Sequence, residues 1–534
     1  MPSTAQTADS VALRGAVGVE TADAGEELGS RRDTPFGAAP SAATYPQPVA
    51  NPDALSGAGS APPPSNQALN SGLGDVGEVR TGPPLGGMGD ETGGQQQPQA
   101  AGENPFGDRQ TPFPGGGTTR SEADRILQSA AQRATGRREA PPLSPLAPAA
   151  GEVSFDPYAP IGTRIGSFLL YSELTSNIIT TDNVFATRGD QRSDWGPELK
   201  PDIRLESNWS RHFLSFNVNA TRSWYQNYPS EDTKDLQGLL KGRIDIRSRT
   251  NLAFELEKSK SQDGRNAEDL PDANVARSDL DEQHASLALD HRFNRLTSTV
   301  TGTATQYDYN DVILLSGTSA AADDRDYLER ELRLRNAYEL QPDLTLFVDT
   351  AINDRDYTQG RSTSGGFLRG SDGYRLLSGA AFRVGGKISG EIGLGYGKQT
   401  PVDNRLTEVS GFLFDADVLW QVTGLTALSF QARTDLNETS ASDASGVFSR
   451  FFGATLTHNL RDNIILGGYV SYDTADYIGQ NLTDDRYREG VTAEYLFNRN
   501  MALVAAYEHT NYVSSSSTGD YEANEVTVGM RLRK

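Results

Sequence analysis

Leu328-Glu329-Arg330-Glu331-Leu332-Arg333-Leu334-Arg335 sets leucine at three even positions and a charge at every odd one between them. Successive side chains of a strand point to opposite faces of a sheet, so this stretch describes a strand with one apolar and one charged face. The same period occurs upstream. Leu199, Ile203 and Leu205 alternate with Glu198, Lys200, Asp202, Arg204 and Glu206, and Leu236, Leu240, Ile244 and Ile246 alternate with Asp235, Gln237, Lys241, Arg243, Asp245 and Arg247. Arg330 breaks the pattern by falling on the apolar face. A lipid-facing arginine costs about 2–4 kcal/mol at mid-membrane and close to nothing at the interface, so its expected place is the outer rim.

From residue 161 onward, alternating segments of roughly 10 to 15 residues are joined in turn by a short connection and a long one. The short ones are Asn208-Trp209-Ser210-Arg211, Ser248-Arg249-Thr250-Asn251, Phe293-Asn294-Arg295, Gln341-Pro342-Asp343, Gly385-Gly386, Thr423-Gly424-Leu425, Arg461-Asp462-Asn463 and Phe497-Asn498-Arg499-Asn500. Their Asn, Asp, Gly and Pro residues tolerate positive φ or preset a turn. Long connections such as 262–280, 310–326 and 357–370 are full of Ser, Gly, Asp and Arg. Eight short turns join sixteen strands, and an unpaired strand at each end, near 166–178 and 523–533, brings the expected total to about eighteen. The expected fold is all-β: a transmembrane antiparallel up-and-down β-barrel of about 18 strands over 161–534. A β-propeller also repeats at about 40 residues, but each blade needs four short strands where this chain has two long ones.

Composition agrees with a barrel. No apolar run approaches the roughly 18–20 residues of a transmembrane helix, and the mean hydropathy of -0.53 suits strands in which alternate residues face lipid. The chain lacks cysteine, which removes disulfides and thiolate metal sites. A net charge of -22 argues against a nucleic-acid partner, since phosphate binding needs clustered Lys and Arg. Residues 1–155 are rich in Pro, Gly, Ala, Ser and Gln and show almost no apolar periodicity, the composition of a disordered arm. Within it, Ser121-Glu122-Ala123-Asp124 resembles a capping box before Ile126, Leu127, Ala130, Ala131 and Ala134, so a short helix is expected near 119–137. Thr34-Pro35-Phe36-Gly37, Asn104-Pro105-Phe106-Gly107 and Thr111-Pro112-Phe113-Pro114 are candidate docking phrases. The first thirty residues show no basic start followed by an apolar core, so the export signal such a barrel needs is not visible here.

The charged faces are expected to line a lumen: Glu198, Lys200, Asp202, Arg204, Glu206, Lys241, Arg243, Asp245, Arg247, Glu329, Glu331, Arg333 and Arg335. Opposite charges there can neutralise one another across strands, and a barrel of sixteen to eighteen strands leaves room for water. Trp209, Trp224, Tyr225, Tyr307, Tyr309, Tyr357, Tyr477 and Tyr512 lie near strand ends, where membrane barrels carry interfacial girdles. No catalytic, metal or cofactor site is expected. His212, His284, His291, His458 and His509 have no metal-site spacing, and no nucleophile elbow, phosphate loop or calcium loop is present. The acid pairs Asp323-Asp324 and Asp484-Asp485 read as solvated, with divalent-cation or lipopolysaccharide bridging as the sharper alternative.

Asp156-Pro157-Tyr158, Ile165-Gly166-Ser167-Phe168, Asp182-Asn183-Val184-Phe185, Ser193-Asp194, Trp209-Ser210-Arg211-His212 and the turn Tyr495-Leu496-Phe497-Asn498-Arg499-Asn500 resemble the outer-membrane β-barrel porin family found beside bacterial surface-polysaccharide genes. The resemblance covers about 155–534 and leaves the arm unmatched. It implies a channel in the outer membrane of a Gram-negative bacterium, with no enzymatic role, serving export or diffusion of polysaccharide or other hydrophilic solutes. Its expected partners are outer-membrane lipid and lipopolysaccharide, with periplasmic polysaccharide-export components reached through the arm. The alternatives are a non-conducting structural or receptor barrel with ligand-binding outer loops, and a hydrolase with its site between strands.

Overall fold

The computed structural model describes residues 158–262, 278–313, 319–359, 362, 366–441, 443–516 and 519–534. The expectations for the arm, its helix at 119–137 and its Pro-Phe phrases lie outside the described residues. Eighteen long strands follow one another: β1 (Phe168–Thr181), β2 (Asp194–Ser207), β3 (Phe213–Ser223), β4 (Thr233–Arg247), β5 (Thr250–Gln262), β6 (Asp279–Phe293), β7 (Leu296–Tyr309), β8 (Tyr327–Gln341), β9 (Leu344–Tyr357), β10 (Ser371–Val384), β11 (Ile388–Pro401), β12 (Val409–Gln421), β13 (Thr426–Asn437), β14 (Gly446–Arg461), β15 (Ile464–Ile478), β16 (Leu482–Asn498), β17 (Met501–Ser514) and β18 (Tyr521–Arg533). Each pairs antiparallel with the next, and β18 returns to β1 from Glu173↔Arg533 to Thr181↔Glu525, closing the barrel. A short extra strand, Thr163–Ile165, folds back onto the start of β1. Among the described residues no helix is long and apolar enough to cross a membrane.

The eight expected turns all fall at one end, here the turn end. Asn294, Gly385 and Gly386 have φ of 59°, 58° and 67°, the left-handed conformation that tight hairpin turns use. The opposite, loop end carries the longer connections, although 479–481 between β15 and β16 is also short. An even strand number brings the start of β1 and the end of β18 to the turn end together. Trp209, in the β2–β3 turn, accordingly packs edge-on against Phe168 at the start of β1.

One face of the sheet is apolar and exposed, as Leu332, Leu334, Leu346 and Val348 are on β8 and β9; this is the face a bilayer covers. Aromatic residues mark both of its ends, Trp195, Tyr374, Tyr396, Phe412 and Tyr487 nearer the loops and Phe293, Tyr338, Trp420 and Phe497 nearer the turns, while Phe430, Phe452 and Tyr507 lie nearer mid-strand. Several charges on this face lie near the loop end and are paired there. Arg330 bonds Asp354 at 2.8 Å, Lys260 lies 3.2 and 3.3 Å from Asp279 and Asp281, and Lys398 lies 2.6 Å from Glu408.

The β12–β13 ladder runs only from Asp415↔Arg433 to Gln421↔Ala427, whereas β13 and β14 stay paired to Asn437↔Val447. Above Arg433 the β13–β14 hairpin leaves the wall and leans inward. Leu436 and Phe448, register partners on the side that continues the lipid face, pack instead with Leu377, Val409 and Leu413 on the inner face of β10 and β12. The hairpin reaches β9, where Arg355 donates to the Leu436 carbonyl at 2.9 Å and bonds Glu438 at 2.7 Å.

The lipid face sets a position-dependent tolerance for charge. Leu334→Arg, at the middle of β8, is expected to lower the unfolding free energy in lipid vesicles by about 2–4 kcal/mol, whereas Leu328→Arg near the rim costs about 0–1 kcal/mol. Denaturant titration of both variants, followed by heat-modifiable electrophoretic mobility, checks this; equal costs would contradict the assignment of faces.

Candidate functional site: the charged lumen

The inner face is built by the other half of the alternation. On β8 it carries Glu329, Glu331, Arg333 and Arg335, and the β8–β9 register sets Arg355 opposite Glu329 and Asp349 opposite Arg335. Asp349, 1% exposed, is the centre of this group. It pairs with Arg333, whose Nε donates at 2.8 Å, and with Arg335 at 3.4 Å. Arg335 also reaches Glu391 on β11 at 2.7 Å, and its guanidinium lies 3.9 Å over the Phe347 ring. Glu331 pairs with Arg375 of β10 at 3.5 Å, and Glu329 with Arg355 at 3.1 Å. Four neighbouring strands thus share one ion-pair lattice. Buried charges survive only when paired, because desolvation otherwise exceeds what they gain.

The other expected lumen residues share this face but form smaller groups. Glu198 accepts from Asn177 at 2.8 Å and from Ser223 at 3.1 Å and pairs with Lys200 at 2.9 Å. Asp202 accepts from Asn217 at 3.2 Å, and Arg204 pairs with Glu206 at 3.3 Å. Lys241 faces Glu255 at 3.6 Å, and Arg243 pairs with Asp245 at 2.9 Å. Arg247 ends its strand at the turn end, exposed. The structure adds two groups that the sequence reading missed: Arg531 with Glu173 and Glu494 at 3.2 and 2.9 Å, and Arg488 with Asp473 at 3.1 Å. Alternation in Arg531-Leu532-Arg533 carried that signal in one strand, but the acidic partners lie hundreds of residues away or on a neighbouring hairpin.

The expected aromatic girdle needs correction. Tyr307, Tyr309, Tyr357, Tyr477 and Tyr512 share the inner face with the ion pairs. Tyr307, Tyr327 and Tyr357 stack in a row across β7–β9 with centroids 4.5 and 5.1 Å apart, and Tyr512 stacks on Tyr521 at 5.2 Å. Nearness to a strand end fixes height in the membrane, while odd or even position fixes the side. Trp209 is exposed at the turn end, and Trp224 and Tyr225 are half-buried in the β3–β4 connection. The outward aromatic residues named above occupy the girdle positions.

The histidines are dispersed. His284 and His458 bond threonines of adjacent strands at 2.8 and 2.9 Å, as His291 does at 2.8 Å, and His509 bonds Asn524 at 2.9 Å. His212 accepts the Asp245 amide at 3.1 Å. Among the described residues no group of three His, Asp or Glu side chains is arranged to hold a metal ion. In the β11–β12 loop, Asp403 accepts from Arg405 at 2.6 and 2.9 Å and from the Leu368 amide at 3.0 Å. These donors hold its carboxyl well below the usual carboxylate range, so the clasp between two loops persists into acid.

Comparison with solved structures finds distant barrels. The FrpB iron transporter from Neisseria meningitidis is 8% identical, with a TM-score of 0.39, over 64% of this chain and 63% of its own; this chain therefore spans less than two thirds of it. Pseudomonas aeruginosa OpdQ is 11% identical with a TM-score of 0.37, over 69% of this chain and 98% of that one. The siderophore receptor PirA from Acinetobacter baumannii is 7% identical with a TM-score of 0.37, over 68% and 80%. No curated protein sequence matches the chain. A family model described as "Putative beta-barrel porin 2" matches residues 156–534, which span every strand of the barrel, and the chain belongs to that family of outer-membrane β-barrel porins.

Proposed function

We propose that this barrel is a porin-like channel of the Gram-negative outer membrane for the export or diffusion of polysaccharide or other hydrophilic solutes. The observation that carries the reading is the ion-pair lattice around Asp349, which puts fixed donors and acceptors of both signs on the inner face of an eighteen-strand barrel. A hydroxyl-rich solute leaving bulk water finds substitutes for its hydration along such a wall, which lowers the barrier to entry without holding it tightly. The polysaccharide part of the proposal rests on the resemblance to barrels found beside surface-polysaccharide genes, and the arm at 1–155 is proposed to lie in the periplasm and meet export components there. Lipid and lipopolysaccharide are the proposed partners of the outer face, with its loop-end ion pairs at headgroup height.

A second reading, a receptor barrel with ligand-binding outer loops, is favoured by one feature: the inward β13–β14 hairpin occupies part of the inner face at the loop end. Conductance separates the two. Purified full-length protein in a planar bilayer is expected to give steady, ohmic current; no current from the full chain or from residues 156–534 would contradict the channel. Asp349→Asn removes the anion shared by Arg333 and Arg335, so the reversal potential under a salt gradient is expected to move toward anion selectivity. An unchanged reversal potential would show that this lattice does not face the conduction path.

A further inference from the structure

The inner face of β10–β12 departs from the charged pattern at one patch. Leu377, Val409 and Leu413 lie there with glycines at 397 and 411, and the patch is covered by Leu436 and Phe448. The fit is close: a Cβ on Gly411 would stand 2.7 Å from the Phe448 ring, and one on Gly397 would stand 2.7 Å from Leu413 and 3.2 Å from Leu436. This patch of wall is shaped to receive the hairpin.

The hairpin has a second place to go. Continuing the β12–β13 register beyond Asp415↔Arg433 sets Thr434, Asp435 and Leu436 opposite Phe414, Leu413 and Phe412. In that arrangement Leu436 stands beside Phe412 on the lipid face, with Phe448 next to it. Two large apolar side chains are therefore accommodated in either position, against the inner patch or under hydrocarbon, and the extra ladder bonds offset the lost packing. Two packings of one segment with closely matched energies are what a switch requires.

We infer that the outer halves of β13 and β14, residues 434–437 and 446–450, form a hinged flap that gates the loop end of the barrel. The structure shows it closed; the open form completes its seam with β12. A polar latch holds the closed form. Glu438 accepts from Arg355 at 2.7 Å, Ser371 at 2.9 Å and Tyr357 at 3.1 Å, and Arg369 donates to the Ala441 carbonyl at 2.9 Å and to that of Ala444. The latch lies at the loop end and is largely buried while the flap is closed, so water takes over its bonds as the flap opens. The hinge lies at Ala432, which the Phe414 and Phe452 rings flank on the lipid face with centroids 5.1 Å apart. The motion stands on this geometry alone; its consequence for conduction rests on the channel reading above.

The chain has no cysteine, so a single engineered pair reports the open form. In the closed form the β-sheet wall separates residue 412 from residue 436, whereas in the open form they are cross-strand neighbours within disulfide reach. Full-length Phe412→Cys/Leu436→Cys protein in lipid vesicles, treated with a mild oxidant, is expected to form the bridge. Adding Glu438→Ala, which leaves Arg355 its other partner Glu329, is expected to speed bridging roughly ten- to hundredfold, the effect of losing a charged hydrogen bond. In planar bilayers the oxidised pair is expected to show larger or longer openings than the reduced one. No bridge in either variant, with heat-modifiable mobility showing an intact barrel, would overturn the flap. A bridge that forms without current before or after oxidation would leave the flap standing and overturn the channel.

Discussion

Inside hydrocarbon, a backbone N–H or carbonyl has no partner except another strand or turn of the same protein. That constraint forces β18 back onto β1 and makes the strand number even once both ends lie at the turns. It also divides the sequence. With backbone bonding satisfied by closure, each strand has one face for lipid and one for the interior, and the side chains follow with a period of two. Arg330 shows how strictly the division is kept. The one charge that breaks the β8 pattern sits near the loop end and carries its own counter-ion, Asp354, on the neighbouring strand.

The β13–β14 hairpin departs from closure and shows what closure costs to break. Above Arg433 the wall loses one ladder, and the hairpin compensates with an apolar patch below and a set of charged hydrogen bonds at its tip. The glycines at 397 and 411 and the side chains of Leu377, Val409 and Leu413 give the hairpin a fitted apolar seat on a face that elsewhere carries ion pairs. Their placement ties an irregularity in pairing to access through the mouth.

Much of this was legible in the sequence because it is local. Gln341-Pro342-Asp343 and Gly385-Gly386 announce turns by their backbone chemistry, and the run from Leu328 to Arg335 announces two faces by its period. What could not be read is non-local. Asp349 lies in a strand whose own alternation is apolar and polar rather than charged, and its role appears only when register brings Arg333 and Arg335 against it. The tyrosines near strand ends looked interfacial because sequence gives their height, but the side on which Tyr307 and Tyr357 lie depends on counting from a strand whose bounds are fixed by pairing. Leu436 and Phe448 have the strand parity of lipid-facing residues, and their burial on the inner wall has no counterpart in the hydropathy pattern.

Odd and even positions of β8 meet different media. Single cysteines placed in turn at residues 329 to 335 of the full-length protein in vesicles, each carrying an environment-sensitive fluorophore and probed with a water-soluble and a lipid-confined quencher, test it directly. The account predicts quenching from water at 329, 331, 333 and 335 and from lipid at 330, 332 and 334, with 330 weakest because it lies at the rim. Uniform quenching along the strand, or the opposite phase, would contradict it.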